Sequence, residues 1–334
     1  GGSTVAARVM VRVESLVKRY GRVLAVDHVS FTVDEGEVFG LLGPNGAGKT
    51  TTLEILEGLR RPDGGRVEVA GHSVVDDPRA VRAVIGVQLQ EAGFFDLLTV
   101  RETLETFAAF HRRGLPVDQV LERVGLRDRH RVLVRNLSGG QKQRLSIALA
   151  LINDPRIVFL DEPTTGLDPQ ARRNLWEMIR QIRREGRTLI LTTHSMEEAE
   201  ALCDRVAIID QGRLLALDRP DRLVAEHAPG AWIILELPYG LATPAAGLPV
   251  PNGGPEPGAE PLSDRLRRLP AVEAVSVPEP GGPTVLLRTR DATATLRGLS
   301  ELQAAEGLAF RSLRVEQASL EDVFLQLTGR ELRE

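Results

Sequence analysis

Gly43-Pro44-Asn45-Gly46-Ala47-Gly48-Lys49-Thr50 fits the pattern G-x-x-x-x-G-K-[ST], and its flanks give the match a physical meaning. The apolar run Val38-Phe39-Gly40-Leu41-Leu42 precedes it, and Thr51-Thr52-Leu53-Glu54-Ile55-Leu56, with helical spacing, follows it. Strand, glycine-rich loop and helix in that order form a phosphate-binding unit. The glycines let backbone N–H groups approach phosphate oxygens, and the helix N-terminus adds partial positive charge. In such a unit Lys49 reaches the β- and γ-phosphates, and the Thr50 hydroxyl holds Mg²⁺. A plain glycine-rich turn would need neither the flanks nor the Lys-Thr pair.

At 334 residues the chain exceeds the size at which a single core usually stops growing, so two domains are expected. Its hydrophobic fraction of 42% and charged fraction of 26% are those of an ordinary globular protein. A net charge of −4 gives no reason to expect nucleic acid as a partner. The one cysteine, Cys203, cannot form an intrachain disulfide and suits a reducing cytosol, where it reads as a small buried hydrophobe. No window reaches the ~18 uninterrupted apolar residues of a membrane-spanning helix, and the N-terminus lacks the apolar core of a signal peptide. Any membrane role is therefore expected to be peripheral, and Gly1-Gly2-Ser3 is set aside from the fold.

Upstream of the loop, Val9 to Val17 and Val29 to Val33 alternate apolar and polar residues, with the charged turn Asp34-Glu35-Gly36-Glu37 after the second. This period predicts antiparallel strands with one buried face. Tyr20, beside Gly21 at a strand end, is by itself an ordinary aromatic. Downstream, Gly58 to Val69 contains Pro62-Asp63-Gly64-Gly65 and reads as a helix stop, a hairpin and a strand. Val84 to Leu89 is a β-rich run ending at Gln90-Glu91. Thr99-Val100-Arg101-Glu102 is a capping box, and the chain from there to about Leu133 reads as helical.

Three further stretches carry chemistry. In Asn136-Leu137-Ser138-Gly139-Gly140-Gln141-Lys142-Gln143-Arg144 a serine caps a helix that runs through Leu151. Its free N–H groups suit an anion, although alone the motif leaves simple capping equally open. Arg156-Ile157-Val158-Phe159-Leu160-Asp161-Glu162-Pro163 is a continuous apolar strand that ends in two acids. Such a strand is central and parallel, and catalytic groups belong at its carboxyl end. There Asp161 would anchor Mg²⁺ through water, and Glu162 would face the γ-phosphate and orient or deprotonate water. Thr188-Leu189-Ile190-Leu191-Thr192-Thr193 is another strand, and His194 directly after it is a candidate γ-phosphate sensor.

Taken together, these residues resemble the ATP-binding cassette family of transporter ATPases, over residues 8 to about 218. The resemblance makes Gly43 to Thr50, with Thr51, the Walker A loop; Tyr20 the aromatic that stacks on adenine; and Gln90 the Q-loop glutamine, a ligand of Mg²⁺. Leu137-Ser138-Gly139-Gly140-Gln141 looks like the signature, and Ile157 to Asp161 like Walker B with Glu162 as the catalytic carboxylate. Thr165-Gly166-Leu167-Asp168 is similar to the D-loop, and His194 to the switch histidine. No member of this set is missing or substituted. Gln88 also precedes the Q-loop, but Glu91 follows Gln90 as in the family. The implied fold is α/β, a P-loop NTPase with a RecA-like core and antiparallel-β and α-helical subdomains. The cassette is expected over 8–225, with the helical subdomain at about 91–150. The resemblance also implies a head-to-tail pair, formed with a second copy or a related cassette, in which Walker A of one chain and the signature of the other enclose ATP.

Beyond the cassette, residues 226–334 read as a small domain. Ala231 to Leu237 is a strand, and 238–261 is a flexible Pro/Gly/Ala-rich insertion. Leu262 to Leu269 is a helix, Val272 to Val277 and Thr284 to Thr289 a hairpin, Ala292 to Ala305 a helix and Phe310 to Val315 a strand. The order βαββαβ predicts a ferredoxin-like α+β domain. The amphipathic tail Ser319–Arg330 places Leu320, Val323, Phe324 and Leu327 on one face. That tail resembles cassette ATPases of the daunorubicin-resistance type, which work with ABC-2 permeases and export drugs, antibiotics or other hydrophobic compounds. A peripheral ATPase on the cytoplasmic face of the membrane is then expected, meeting the permease through Phe94 and Phe95. An importer ATPase is the alternative. So is a soluble cassette protein, but its ribosomal members carry two cassettes per chain and its DNA-repair members long coiled coils.

Overall fold

The computed structural model describes residues 8–88, 96–111, 113–238, 261–279, 282–306 and 308–329. Leu89, Gln90, Glu91, Phe94, Phe95, most of the 238–261 insertion and Arg330 lie outside them. The chain falls into two compact units, Gly1–Leu223 with Leu327–Glu334, and Val224–Gln326.

In the first unit, β1 (Val9–Tyr20) and β2 (Val23–Asp34) form an antiparallel hairpin that turns at Gly21 and Arg22. β3 (Val38–Leu42) leads through the glycine-rich loop into α1 (Lys49–Leu56). β4 (Gly64–Val69), β5 (His72–Ser73), α2 (Pro78–Val84) and β6 (Ile85–Val87) follow. The β-rich run read from Val84 is shorter as a strand because Val84 completes α2. The helical region comprises α3 (Val100–Ala108), α4 (Val117–Arg123) and α5 (Gly139–Leu151). It is not continuous to Leu133: Gly125, at φ 64°, ends α4 in a left-handed cap, and Leu133 instead bridges to Thr99. β7 (Ile157–Asp161), α6 (Pro169–Arg184), β8 (Thr188–Thr193), α7 (Met196–Leu202), β9 (Arg205–Asp210), β10 (Arg213–Asp218) and the first turn of α8 (Pro220–His227) complete the series.

The strands form two sheets, an antiparallel one in the order β2-β1-β4-β5 and a six-stranded one in the order β10-β9-β3-β8-β7-β6. All neighbours in the second are parallel except the β9–β10 hairpin. Every residue of β3, β7 and β8 is buried, as continuous apolar runs require of central strands covered on both faces. Val38, Val158, Leu160, Leu189 and Leu191 pack into one core with α3 to α6. Their alternates Phe39, Leu41, Ile157, Phe159 and Ile190 pack into a second core with the antiparallel sheet, where the Phe31 and Phe39 rings stack at 5.1 Å.

The second unit contains β11 (Ala231–Glu236), α9 (Leu262–Arg267), β12 (Val272–Ser276), β13 (Thr284–Thr289), α10 (Ala292–Glu306), β14 (Ser312–Gln317) and most of α11 (Leu320–Thr328). Its fully antiparallel sheet runs β12-β13-β11-β14, the strand order of a ferredoxin-like fold. One face carries Ile233, Leu235, Val285 and Leu287 into a core with Leu266 and Leu299. On the other, Trp232 donates to the Asp322 carboxylate at 2.7 Å and lies under the Arg288 guanidinium. Of the tail's apolar residues, Leu320, Val323 and Phe324 are buried and Leu327 is half-buried.

Candidate active site

Because β8 lies between β3 and β7, the carboxyl ends of three parallel strands meet side by side. β3 supplies the glycine-rich loop, β7 ends at Asp161 with Glu162 next, and His194 directly follows β8. The Lys49 ammonium lies 3.5 Å from Glu162 Oε1, and His194 Nδ1 lies 3.3 Å from the same oxygen, in ion-pair range but off the hydrogen-bond line. Thr50 Oγ1 donates to Asp161 Oδ1 at 3.4 Å.

The loop is braced from below. Gly43 N donates to Thr193 O, and Ala47 N to Pro44 O, while the turn between β9 and β10 reaches under the loop. There Gly212 N donates to Ala47 O at 2.9 Å, and Asp27 N donates to Gly212 O at 2.8 Å. Gly48 caps α1 with no side-chain acceptor, so the first N–H groups of the helix have no side-chain cap. That is the arrangement a phosphate would complete. The Lys49 ammonium is buried and donates to the carbonyls of Gly43, at 2.7 Å, and Pro44, at 3.1 Å. Thr50 and Asp161 bring a hydroxyl and a carboxylate together, the hard oxygen donors that suit Mg²⁺.

Burial pulls the Lys49 ammonium below its usual pKa, with Glu162 and Asp161 opposing the shift. Burial alone would raise the Glu162 carboxyl, but His194 and Lys49 outweigh it and hold the group below its usual range. Glu162 is thus a carboxylate poised between two nitrogen groups. Its backbone adopts φ 45°, a left-handed conformation that a non-glycine residue holds only when its surroundings impose it. Those surroundings are Thr192, whose hydroxyl accepts from Glu162 N at 3.0 Å, and Thr165, whose hydroxyl donates to Glu162 Oε2 at 3.2 Å. Burial raises Asp161, against hydrogen bonds from Thr192 and Thr50.

The other expected residues do not join this cluster. Ser138 caps α5 in a reciprocal capping box with Gln141, and no hydrogen bond or ion pair joins Ser138–Gln141 to Gly43–Thr50 among the described residues. Asp168 caps α6 by accepting from Gln170 N and Ala171 N, each at 2.9 Å. Tyr20 is exposed at the end of β1, its ring 5.5 Å from the Lys18 ammonium and 5.3 Å from the Arg60 guanidinium. Gln90 lies outside the described residues.

Reading the sequence missed several supports. Thr192 looks like any β-branched strand residue, yet its hydroxyl bridges Asp161 and Glu162. Glu198 is buried behind His194, where it accepts from Trp176 Nε1. Gln143, one turn into α5, donates to Pro163 O at 2.7 Å and so ties α5 to the residue after Glu162.

Glu57, after α1, was also not anticipated. It lines a cavity of about 310 Å³ with Leu59, Arg82, Val87, Phe107 and His111. Burial, then the charges of Asp161 and Glu54, push its carboxyl up to about 8. The folded chain therefore binds one more proton than the unfolded chain between the ordinary carboxylate range and pH 8, so stability falls as pH rises through that window. Glu57→Gln should remove a slope of about −1 kcal/mol per pH unit. Urea unfolding at several pH values without nucleotide checks this; parallel wild-type and variant curves would contradict it.

Comparison with known proteins agrees with this geometry. The ABC transporter family model matches residues 26–165. Nod factor export ATP-binding protein I of Ralstonia nicotianae is 40% identical over 343 residues, covering 100% of this chain and 98% of that protein. Daunorubicin resistance ATP-binding protein DrrA3 of Streptomyces coeruleorubidus is 36% identical over 333 residues, covering 97% of each. The dimeric structure of MJ0796, a bacterial ABC transporter cassette, superposes with a TM-score of 0.57 at 28% identity, covering 63% of this chain and 98% of that one. The chain belongs to the ABC transporter family, as an ATP-binding cassette ATPase.

Proposed function

We propose that this ATPase powers a separate ABC-2 type permease for export of a hydrophobic compound, working as a head-to-tail pair of cassettes on the cytoplasmic face of the membrane. The observation that carries the catalytic part is the convergence of Lys49, Thr50, Asp161, Glu162 and His194 at three adjacent strand ends. Lys49 and the N–H groups of the Gly43–Thr50 loop, with Thr51, bind the phosphates of ATP, and Tyr20 offers its exposed ring to adenine. Thr50 and Asp161, with Gln90, would hold Mg²⁺, which when bound neutralises phosphate charge. Glu162, kept ionised, takes a proton from the attacking water or orients it, and His194 hydrogen-bonds the γ-phosphate.

Ser138, Gly139, Gly140, Gln141 and Asp168 serve the partner's nucleotide. That assignment is supported by a related cassette solved as a dimer. Export is supported by the relatives named for Nod factor export and daunorubicin resistance. No helix among the described residues is long and apolar enough to cross a membrane. The groove at Leu59, Val87 and Phe107 is where that permease docks.

Gel filtration of Glu162→Gln at low concentration tests the pair. Mg-ATP should shift it from monomer to dimer, and adding Ser138→Arg should abolish the shift. A dimer that survives Ser138→Arg would refute the shared site.

A further inference from the structure

Among the described residues, β14 occupies an outer edge of the ferredoxin-like sheet and pairs only with β11. The pairing is regular from Ser312 to Gln317, and Ala318 N continues it by donating to Gly230 O. Hydrogen-bonded pairs therefore fall on Arg314 and Glu316, and the N–H and C=O groups of Leu313, Val315 and Gln317 point to the open edge. β14 has no proline, no lysine and no bulge to block that edge, and its two charges, Arg314 and Glu316, are of opposite sign and so can pair across a two-fold axis. Leu313 through Gln317 are all exposed, Val315 at 40%. Arg314 and Glu316 have no ion pair or hydrogen bond through their side chains among the described residues.

We propose that this edge pairs antiparallel with the same edge of a second copy, joining the two C-terminal sheets independently of nucleotide. The charges select the register. With the two-fold axis at Val315, Arg314 faces Glu316 of the partner subunit, Glu316 faces Arg314 of the partner subunit, and Val315 faces its own twin. That centre also makes Val315 a hydrogen-bonded pair, matching the direction of its free backbone groups. Moving the axis to Arg314 or Glu316 sets like charges opposite each other, which is unfavourable across strands. Moving it to Leu313 or Gln317 leaves both charges facing uncharged residues. One register therefore satisfies both the backbone and the side chains.

An edge of six residues is smaller than a standard stable interface, so the association is weak by itself. Its effect is to keep two cassettes at high local concentration while nucleotide leaves.

Sedimentation equilibrium of the full chain, without nucleotide and in EDTA, tests the pairing up to ~100 µM, the range in which weak dimers are visible. Wild type should self-associate, Arg314→Glu and Glu316→Arg should each weaken association about tenfold or more, and the double exchange should restore it. As a second measurement, Val315→Cys should crosslink to its twin with a short bismaleimide, because the natural cysteine, Cys203, is buried. A wild type that stays monomeric, single variants that associate as wild type does, a double exchange that fails to recover or an absent crosslink each overturns the proposal. Such results alongside an intact ATP-dependent dimer of Glu162→Gln would leave the shared nucleotide site standing.

Discussion

Glu162→Gln should lower ATP turnover by about 10²–10⁴-fold, the usual contribution of a positioned general base. The amide keeps the shape of the side chain and still accepts from the Thr165 hydroxyl, so the strained turn at φ 45° should survive. What disappears is the negative charge that Lys49 and His194 share, together with the ability to take a proton from water. Binding should change much less than turnover, because the Lys49 ammonium is also held by the carbonyls of Gly43 and Pro44. Single-turnover hydrolysis and nucleotide titration on the same preparation separate the two effects. Turnover equal to wild type would remove Glu162 from the chemistry; loss of binding alone would make it a structural partner of Lys49.

Gly48→Ala should weaken nucleotide binding about a hundredfold or more, while Gly46→Ala should cost about tenfold. Both glycines have positive φ, +100° at Gly48 and +79° at Gly46, so both substitutions carry a backbone strain of about 1–3 kcal/mol. Only Gly48 adds a collision. A Cβ there would stand 2.3 Å from the Ala25 carbonyl oxygen, a main-chain atom of β2 that cannot swing aside, whereas nothing lies within 4 Å of the same position at Gly46. Relief would require the loop to separate from β2 and from the turn at Gly212 that braces it. Fluorescent-nucleotide titration of the two variants, with circular dichroism to confirm folding, distinguishes clash from strain; equal losses would mean that the contact with β2 is dispensable.

Much of the site was legible because its signals are local. Continuous apolar runs marked β3, β7 and β8 as buried strands, and the residue types at their ends marked the phosphate loop, the two acids and the histidine. The Ser138 cap and the βαββαβ order could be read for the same reason: caps and strand periods are written in neighbouring residues. Residues that act through long-range contacts left no such mark. Thr192 is one β-branched residue among several until strand order places it beside Asp161, and Gln143 is a polar helix residue until α5 meets the carbonyl of Pro163.

By itself, then, the sequence determined the family and the nature of the chemistry, since both depend on residue type and short spacing. Tertiary structure alone decided that β8 separates β3 from β7 and so brings Lys49 to Glu162, that Glu57 is buried and keeps its proton, and that β14 is the last strand of its sheet among the described residues. These follow from which strands become neighbours and how water is excluded between them, free-energy terms summed over the whole chain that no short stretch contains.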